Sequence, residues 1–128
     1  MKNILRKSIL FVSAFILMTG FIIAKDGYNI KVKIAGIKNA KCFLANYYGD
    51  KQYLKDSVIS DAQGVLTFSG KDSLPGGIYL VVTPNKNYFE IIITKNDQNF
   101  SIETDTSDFV GKMKIKGSEE NQRFLGLG

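Results

Sequence analysis

From Tyr28 onward the side chains repeat every two residues, and that rhythm narrows the possible folds more than any other property of the chain. Tyr28, Ile30, Val32 and Ile34 alternate with Asn29, Lys31 and Lys33. Successive side chains leave a strand on opposite sides, whereas a helix returns to the same face about every 3.6 residues. The pattern therefore describes a strand with one dry and one wet face.

The rhythm recurs along the chain. Gly36 to Asn39 interrupts it, and Lys41 to Tyr48 forms a second apolar and aromatic strand, ended by Gly49-Asp50. Gln52 to Ser60 is a third, with Leu54 and Val58 expected on one face and Tyr53, Ser57 and Ile59 on the other. Asp61-Ala62-Gln63-Gly64 is the clearest turn. Asp can hydrogen-bond the backbone ahead of it and Gly accepts positive φ, which suits a type I turn with a bulge joining two antiparallel strands. Val65 to Ser69 returns with Leu66 and Phe68 inward. Pro75-Gly76-Gly77 leads into Ile78 to Thr83, apolar on both faces and so expected in the middle of a sheet.

A turn at Pro84 to Asn87 precedes Tyr88 to Thr94, and the polar loop Lys95 to Asn99 precedes Phe100 to Thr104, with Phe100 and Ile102 inward. Lys112 to Lys116 alternates once more. Short strands with turns at this spacing predict an all-β fold, an antiparallel β-sandwich of about seven or eight strands, with a barrel as the other closed form.

Met1 to Ala24 has the makeup of a signal peptide. Lys2, Arg6 and Lys7 precede an uncharged apolar run from Ile9 to Ile23, and the small Ala24 stands before Lys25. Ser13, Thr19 and Gly20 break the run, which favours cleavage over the alternative, an uncleaved anchor at residues 8–24. A lipoprotein signal is excluded, because its cysteine would follow the apolar run directly and Cys42 lies far downstream. The implied destination is the periplasm or cell envelope, with membrane contact only through this segment.

The formal charge of +5 owes much to that segment: without Lys2, Arg6 and Lys7, 14 basic residues face 12 acidic ones. The remaining lysines are scattered among acids rather than gathered into a stripe, so no nucleic-acid partner is expected. A single cysteine allows no internal disulfide, and Cys42 within Cys42-Phe43-Leu44-Ala45 reads as a buried hydrophobe.

Ser118 can cap a helix, with Glu119 and Glu120 at the positive end of its dipole. Few residues follow before Gly126-Leu127-Gly128, and so short a helix is marginal unless it packs on something. The chain thus divides into a signal segment at 1–24, a β-sandwich domain at 25–117, and at 118–128 a helical stub or linker to a further C-terminal domain.

The motifs themselves have a familiar order. Gly27-Tyr28-x-Ile30-x-Val32 is followed by Asp56-Ser57, Asp61-Ala62-Gln63-Gly64 and Pro75-Gly76-Gly77-Ile78-Tyr79. Gln98-Asn99-Phe100-Ser101-Ile102 and Lys116-Gly117-Ser118-x-x-Asn121 complete it. The order resembles the N-terminal β-sandwich domain of unknown function that precedes the thioredoxin-like domain in exported Bacteroidetes-type thiol–disulfide oxidoreductases. In that family the redox chemistry belongs to the thioredoxin-like domain and its cysteine pair. These residues hold no such domain, so the resemblance carries no catalytic residue onto this chain.

The residue types allow little chemistry of their own. There is no histidine, which removes Ser–His–Asp and Cys–His nucleophiles and histidine metal sites. Gly64 with Gly70-Lys71-Asp72 has the wrong spacing for a phosphate loop, and Asp72 stands where Ser or Thr should hold magnesium. Glu90 alternates away from Phe89, Ile91 and Ile93 and is expected at the surface. Glu103, Asp105 and Asp108 flank a loop but lack the glycine and distal glutamate of a hand-type calcium site.

Tyr47, Tyr48, Tyr53, Tyr79 and Tyr88 could make a binding face but suit strand packing better. Asp56-Ser57-Val58 and Asp72-Ser73-Leu74 match a short Asp-Ser-apolar pattern for O-glycosylation of exported proteins. No catalytic, cofactor or metal residue is assigned. The expected role is a non-catalytic accessory domain whose partner is a protein or a thioredoxin-like domain, the alternative being a stand-alone glycan- or peptide-binding module.

Overall fold

The computed structural model describes residues 27–127; the signal segment expected at 1–24 lies outside them. Eight strands follow one another: β1 (Tyr28–Ala35), β2 (Lys41–Tyr48), β3 (Lys51–Ile59), β4 (Val65–Gly70), β5 (Gly77–Val82), β6 (Tyr88–Ile93), β7 (Asn99–Asp105) and β8 (Lys114–Lys116). A short helix, α1 (Glu119–Phe124), ends the fold. The strands form two four-stranded sheets, sheet A in the order β4-β1-β7-β8 and sheet B in the order β3-β2-β5-β6. The fold is the all-β sandwich that the alternation implies.

The core forms where the alternating faces meet. Ile30, Val32 and Ile34 of β1 are buried, as are Leu66 and Phe68 of β4, and Phe100 and Ile102 of β7. Sheet B supplies Cys42, Leu44, Tyr79, Val81, Phe89, Ile91 and Ile93 to the same cluster. Removing these faces from water is the main stabilising term. β5, apolar on both faces, sits between β2 and β6, as its sequence implies.

Three details differ from the sequence expectation. First, β1 and β7 pair in parallel, with Ile30 opposite Phe100 and Val32 opposite Ile102, so sheet A is mixed rather than purely antiparallel. Alternation fixes which face is dry but not the direction of a neighbour.

Second, the Asp61–Gly64 turn forms, yet it does not join paired strands. β3 belongs to sheet B and β4 to sheet A, so the turn is a corner between layers. Asp61 Oδ1 accepts from the amides of Gln63 and Val65 at 2.8 and 2.9 Å, and Gly64 N donates to Asp61 O at 3.2 Å. Ile34 N donates to Gly64 O and Asn39 N to Asp61 O, both at 2.9 Å, tying this corner to the one where β1 gives way to β2. Gly64 has φ 79°, and a Cβ there would lie 2.1 Å from the Ile34 carbonyl oxygen, so no side chain fits.

Third, Leu54 and Val58 lie on opposite faces. Leu44 pairs with Asp56 but Ala45 pairs with Leu54, leaving Lys55 as an extra residue. This bulge inverts the alternation. Val58 packs toward the core, while Leu54 faces outward, 63% exposed.

The sandwich is closed along both sides. β3 lies against β4 on one side, and α1 bridges β6 and β8 on the other. Six residues are too few for an independent helix, and the capping geometry shows what holds this one. Ser118 Oγ accepts from Asn121 N at 3.1 Å and donates to Asp97. The fully buried Asn121 side chain accepts from Ile92 N at 2.7 Å and donates to Ile92 O at 2.8 Å, pairing with β6 as a neighbouring strand would. Gln122 Nε2 donates to Ile115 O at 2.9 Å, and Leu125 and Leu127 pack on the core.

Asn121→Ala leaves both main-chain groups of Ile92 without this partner. It is expected to cost about 2–4 kcal/mol, read as a lower urea midpoint at an unchanged slope. A midpoint within error of wild type would contradict the clamp.

Candidate functional site

Most polar residues of the recurring motifs are engaged in structural bonds. Gln98, nearly fully buried, accepts from Leu74 N and donates to Leu74 O, each at 2.8 Å, and also donates to Thr94 O at 3.1 Å. Tyr79 Oη, in the core, donates to Pro75 O at 2.6 Å. Tyr28 Oη crosses from sheet A to donate to Asp56 Oδ2 of β3 at 3.0 Å, and Asp56 Oδ1 accepts from Ser57 N at 2.8 Å. Ser73 Oγ accepts from Gly27 N at 3.4 Å.

The remaining sequence candidates are distributed over both sheets. Cys42 is a fully buried free thiol, and burial raises its pKa, which disfavours the reactive thiolate. Asp105 accepts from Ser107 N at 2.9 Å and Asp108 from Gly111 N at 2.9 Å, so both carboxylates brace the turn before β8. The hydrogen bonds from the amide and then the hydroxyl of Ser107 hold Asp105 below the usual carboxylate range, with Lys112 adding to the effect. Glu103 points from β7 to the opposite side of the sheet from Ile102, on the same face as Asp105, and the two carboxylates share a groove with Lys112 and Lys114. Among the described residues, no group of three His, Cys, Asp or Glu side chains is placed to hold a metal ion. Gly64 and Gly70 belong to a corner and a strand end, not to a strand-to-helix loop. Glu90 is exposed on the outer face of sheet B.

The tyrosines do not form one surface. Tyr79 is inside the core, and Tyr48 and Tyr53 meet edge to face near the β2–β3 hairpin, with ring centroids 6.3 Å apart. Tyr88 stands on β6, two strands away from β2. Asn46 Oδ1, inward between its register partners Tyr53 and Tyr79, is buried without a hydrogen bond. An unpaired group of that kind costs about 1–3 kcal/mol.

What the structure brings together instead is a contrast between two outer surfaces. In sheet B the register aligns Phe43, Val82 and Tyr88 across three strands, and Leu54, Ala45 and Leu80 in the next row, where Ala45 and Leu80 are buried and Leu54 is exposed. Ile59 and Ile78 add to this face at 65% and 37% exposure. Lys41, whose ammonium group lies 5.7 Å from the Phe43 ring centroid, and Glu90 are its charged members. In sheet A the outward side chains of β1, β7 and β8 include Lys31, Lys33, Glu103, Lys114 and Lys116.

Neither surface was recognised from the sequence. The apolar one was masked because β2 and β5, being apolar on both faces, do not reveal whether the second face is covered. The basic one had a signal in the Lys-x-Lys pairs at 31–33 and 114–116, but only the pairing of both strands with β7 makes them neighbours.

Against known proteins, a family model described as a domain of unknown function (DUF4369) matches residues 28–124. No curated protein and no solved structure matches the chain.

Two measurements check these environments. The Cys42 thiol is expected to resist an aromatic disulfide reagent in the native protein and to react fully in urea; fast native labelling would contradict its burial. Tyr28 has its pKa pushed up to about 12 from 10.0, first by burial, then by the hydrogen bond to Asp56 and that carboxylate's charge. A folded pKa above the unfolded one gives stability present below pH 10 and lost as pH rises toward 12. The Tyr28→Phe variant should therefore lose less stability than wild type between pH 9 and pH 11, by urea unfolding at each pH. An equal loss in both would remove Tyr28 from the alkaline response.

Proposed function

We infer the role of this chain from its family and its fold together: it belongs to the DUF4369 family of domains of unknown function. The reading is a non-catalytic interaction domain, exported to the periplasm or cell envelope, that contributes partner contact and positioning to a thioredoxin-like thiol–disulfide oxidoreductase. The observation that carries it is the outer face of sheet B. Leu54 and Ile59 are more than half exposed there, in register with further apolar side chains of β2, β5 and β6. Water-facing strands ordinarily alternate to polar residues, and a contiguous apolar face marks a contact surface. The outer face of sheet A follows the ordinary rule, so the apolar face is not a general property of this sandwich.

Two further observations support the reading. The polar motif residues serve as structural clamps, which suits a scaffold. The positive n-region and apolar run of residues 1–24 suit export. The thioredoxin-like partner rests on the motif order from Gly27 to Asn121. A stand-alone glycan- or peptide-binding module would want its tyrosines on one surface, and they are divided between core, hairpin and β6.

A photo-crosslinking residue at Ile59, in the producing cell, is expected to capture either a protein with a Cys-x-x-Cys thioredoxin-like domain or such a domain within the same chain. The same residue at Thr67, on the outer face of sheet A, serves as the control. The double variant Leu54→Glu/Ile59→Glu should change stability by no more than about 0.5 kcal/mol and abolish capture at a third reporter position, Ile78. Equal capture from both faces, or none from Ile59, would argue against this surface. The purified chain should also be blank in an insulin-reduction assay, and turnover would contradict the non-catalytic reading.

A further inference from the structure

The outer face of sheet A gathers four lysines that the sequence holds apart. Lys31 and Lys33 stand on β1, Lys114 and Lys116 on β8, and β7 lies between those strands. The register sets them in two rows. Lys31, Ser101 and Lys116 are cross-strand partners in one, and Lys33, Glu103 and Lys114 in the other. These six residues line one shallow groove across the three strands.

Strands lie about 4.8 Å apart, and alternate residues about 6.7 Å apart along a strand, so the four lysines rise from the corners of a rectangle of about 10 by 7 Å. Four like charges this close repel one another unless a counter-charge sits among them. Glu103 supplies one, beside Lys33 and Lys114, leaving four lysines against one glutamate, a net of +3. The other row has no carboxylate. Its centre is the half-buried hydroxyl residue Ser101, flanked by two exposed lysines.

We propose that the Lys31–Ser101–Lys116 row is a binding site for a phosphate group. The anion sits over Ser101, whose hydroxyl donates to it, with a lysine ammonium on either side. Lys33 and Lys114, steadied by Glu103, add attraction from the second row. The residue types fit this ligand better than a carboxylate: lysine binds phosphate as a point charge, and a phosphate offers more acceptor oxygens to two ammonium groups and a hydroxyl at once. The phosphate can come from a soluble molecule or from a lipid headgroup, since both present the same group. The site lies on the sheet opposite the apolar surface, so it stands or falls independently of the partner reading.

The test titrates the full chain, at low salt, with inorganic pyrophosphate in one arm and with phosphatidylglycerol-containing phosphatidylcholine vesicles in the other. Each arm is read as the difference between wild type and variants, so that any contribution of residues 1–24 cancels. Lys31→Gln and Lys116→Gln should each weaken binding about fourfold, the Coulomb factor for unit charges about 5 Å apart in water. Ser101→Ala should weaken it as well. Glu103→Gln should tighten it, because the carboxylate between Lys33 and Lys114 is gone, whereas Asp105, farther along β7, keeps its pairing with Lys112; a merely structural glutamate would not act in that direction.

All four positions are on the outer face of the sheet, and urea midpoints check that the variants remain folded. These variant effects in both arms support a phosphate site open to either source. The effects with vesicles alone assign the site to headgroups, and with pyrophosphate alone to soluble phosphates. The proposal is overturned if neither ligand binds in a lysine-dependent way, or if Glu103→Gln binds no more tightly than wild type.

Discussion

Main-chain groups at the rim of a sandwich have no strand beside them, and here a side-chain carboxamide twice takes that place. Gln98 pairs with both main-chain groups of Leu74, and Asn121 with both of Ile92. A carboxamide carries a donor and an acceptor at the spacing of a peptide unit, so it satisfies both partners at once. Burial makes the arrangement matter, because an unmatched amide or carbonyl away from water costs more than a formed bond contributes. Much of the architecture hangs from these two residues. Gln98 fixes the irregular approach to β5 at Leu74 and joins it to the loop before β7. Asn121 docks α1, and with α1 come Leu125 and Leu127, which cover the core between β6 and β8.

The legible and illegible parts of the sequence separate along a physical line. Which residues form strands, and which face of each is dry, are written locally: β1, β2, β4 and the inward residues of β7 follow directly from alternation. Which strand lies beside which is not local. Nothing within Tyr28–Ala35 distinguishes a parallel neighbour from an antiparallel one, and nothing in Asp61–Gly64 says that the strands it connects belong to different layers. The bulge at Lys55 is a pairing property too, since it appears only when β3 is laid against β2. Gln98 and Asn121 stood out in the motif order, but their work as surrogate strand partners needs the third dimension.

Pairing also decides the two outer surfaces, which is why neither shows in the sequence. A missing histidine is a fact of composition. An apolar face or a lysine cluster is a fact of registration, made by residues far apart in sequence. The two faces differ as they do because sheet B contains β2 and β5, whose second faces are also apolar, whereas every strand of sheet A turns polar side chains outward at its centre. The division gives one sandwich two unlike surfaces, back to back across a single core.

The parallel pairing of β1 with β7 also governs how the domain can come into being. Asn29 must wait for Asn99 and Ala35 for Asp105, so the second strand beside β1 is supplied late in synthesis. Closing so long a loop is entropically costly, and chains dominated by such distant contacts fold slowly. Until β7 emerges, β1 has at most β4 for company, and sheet A lacks half its width. All four strands of sheet B precede β7 in the chain and can pair first, so it is the second layer, and with it the closed core, that is completed late.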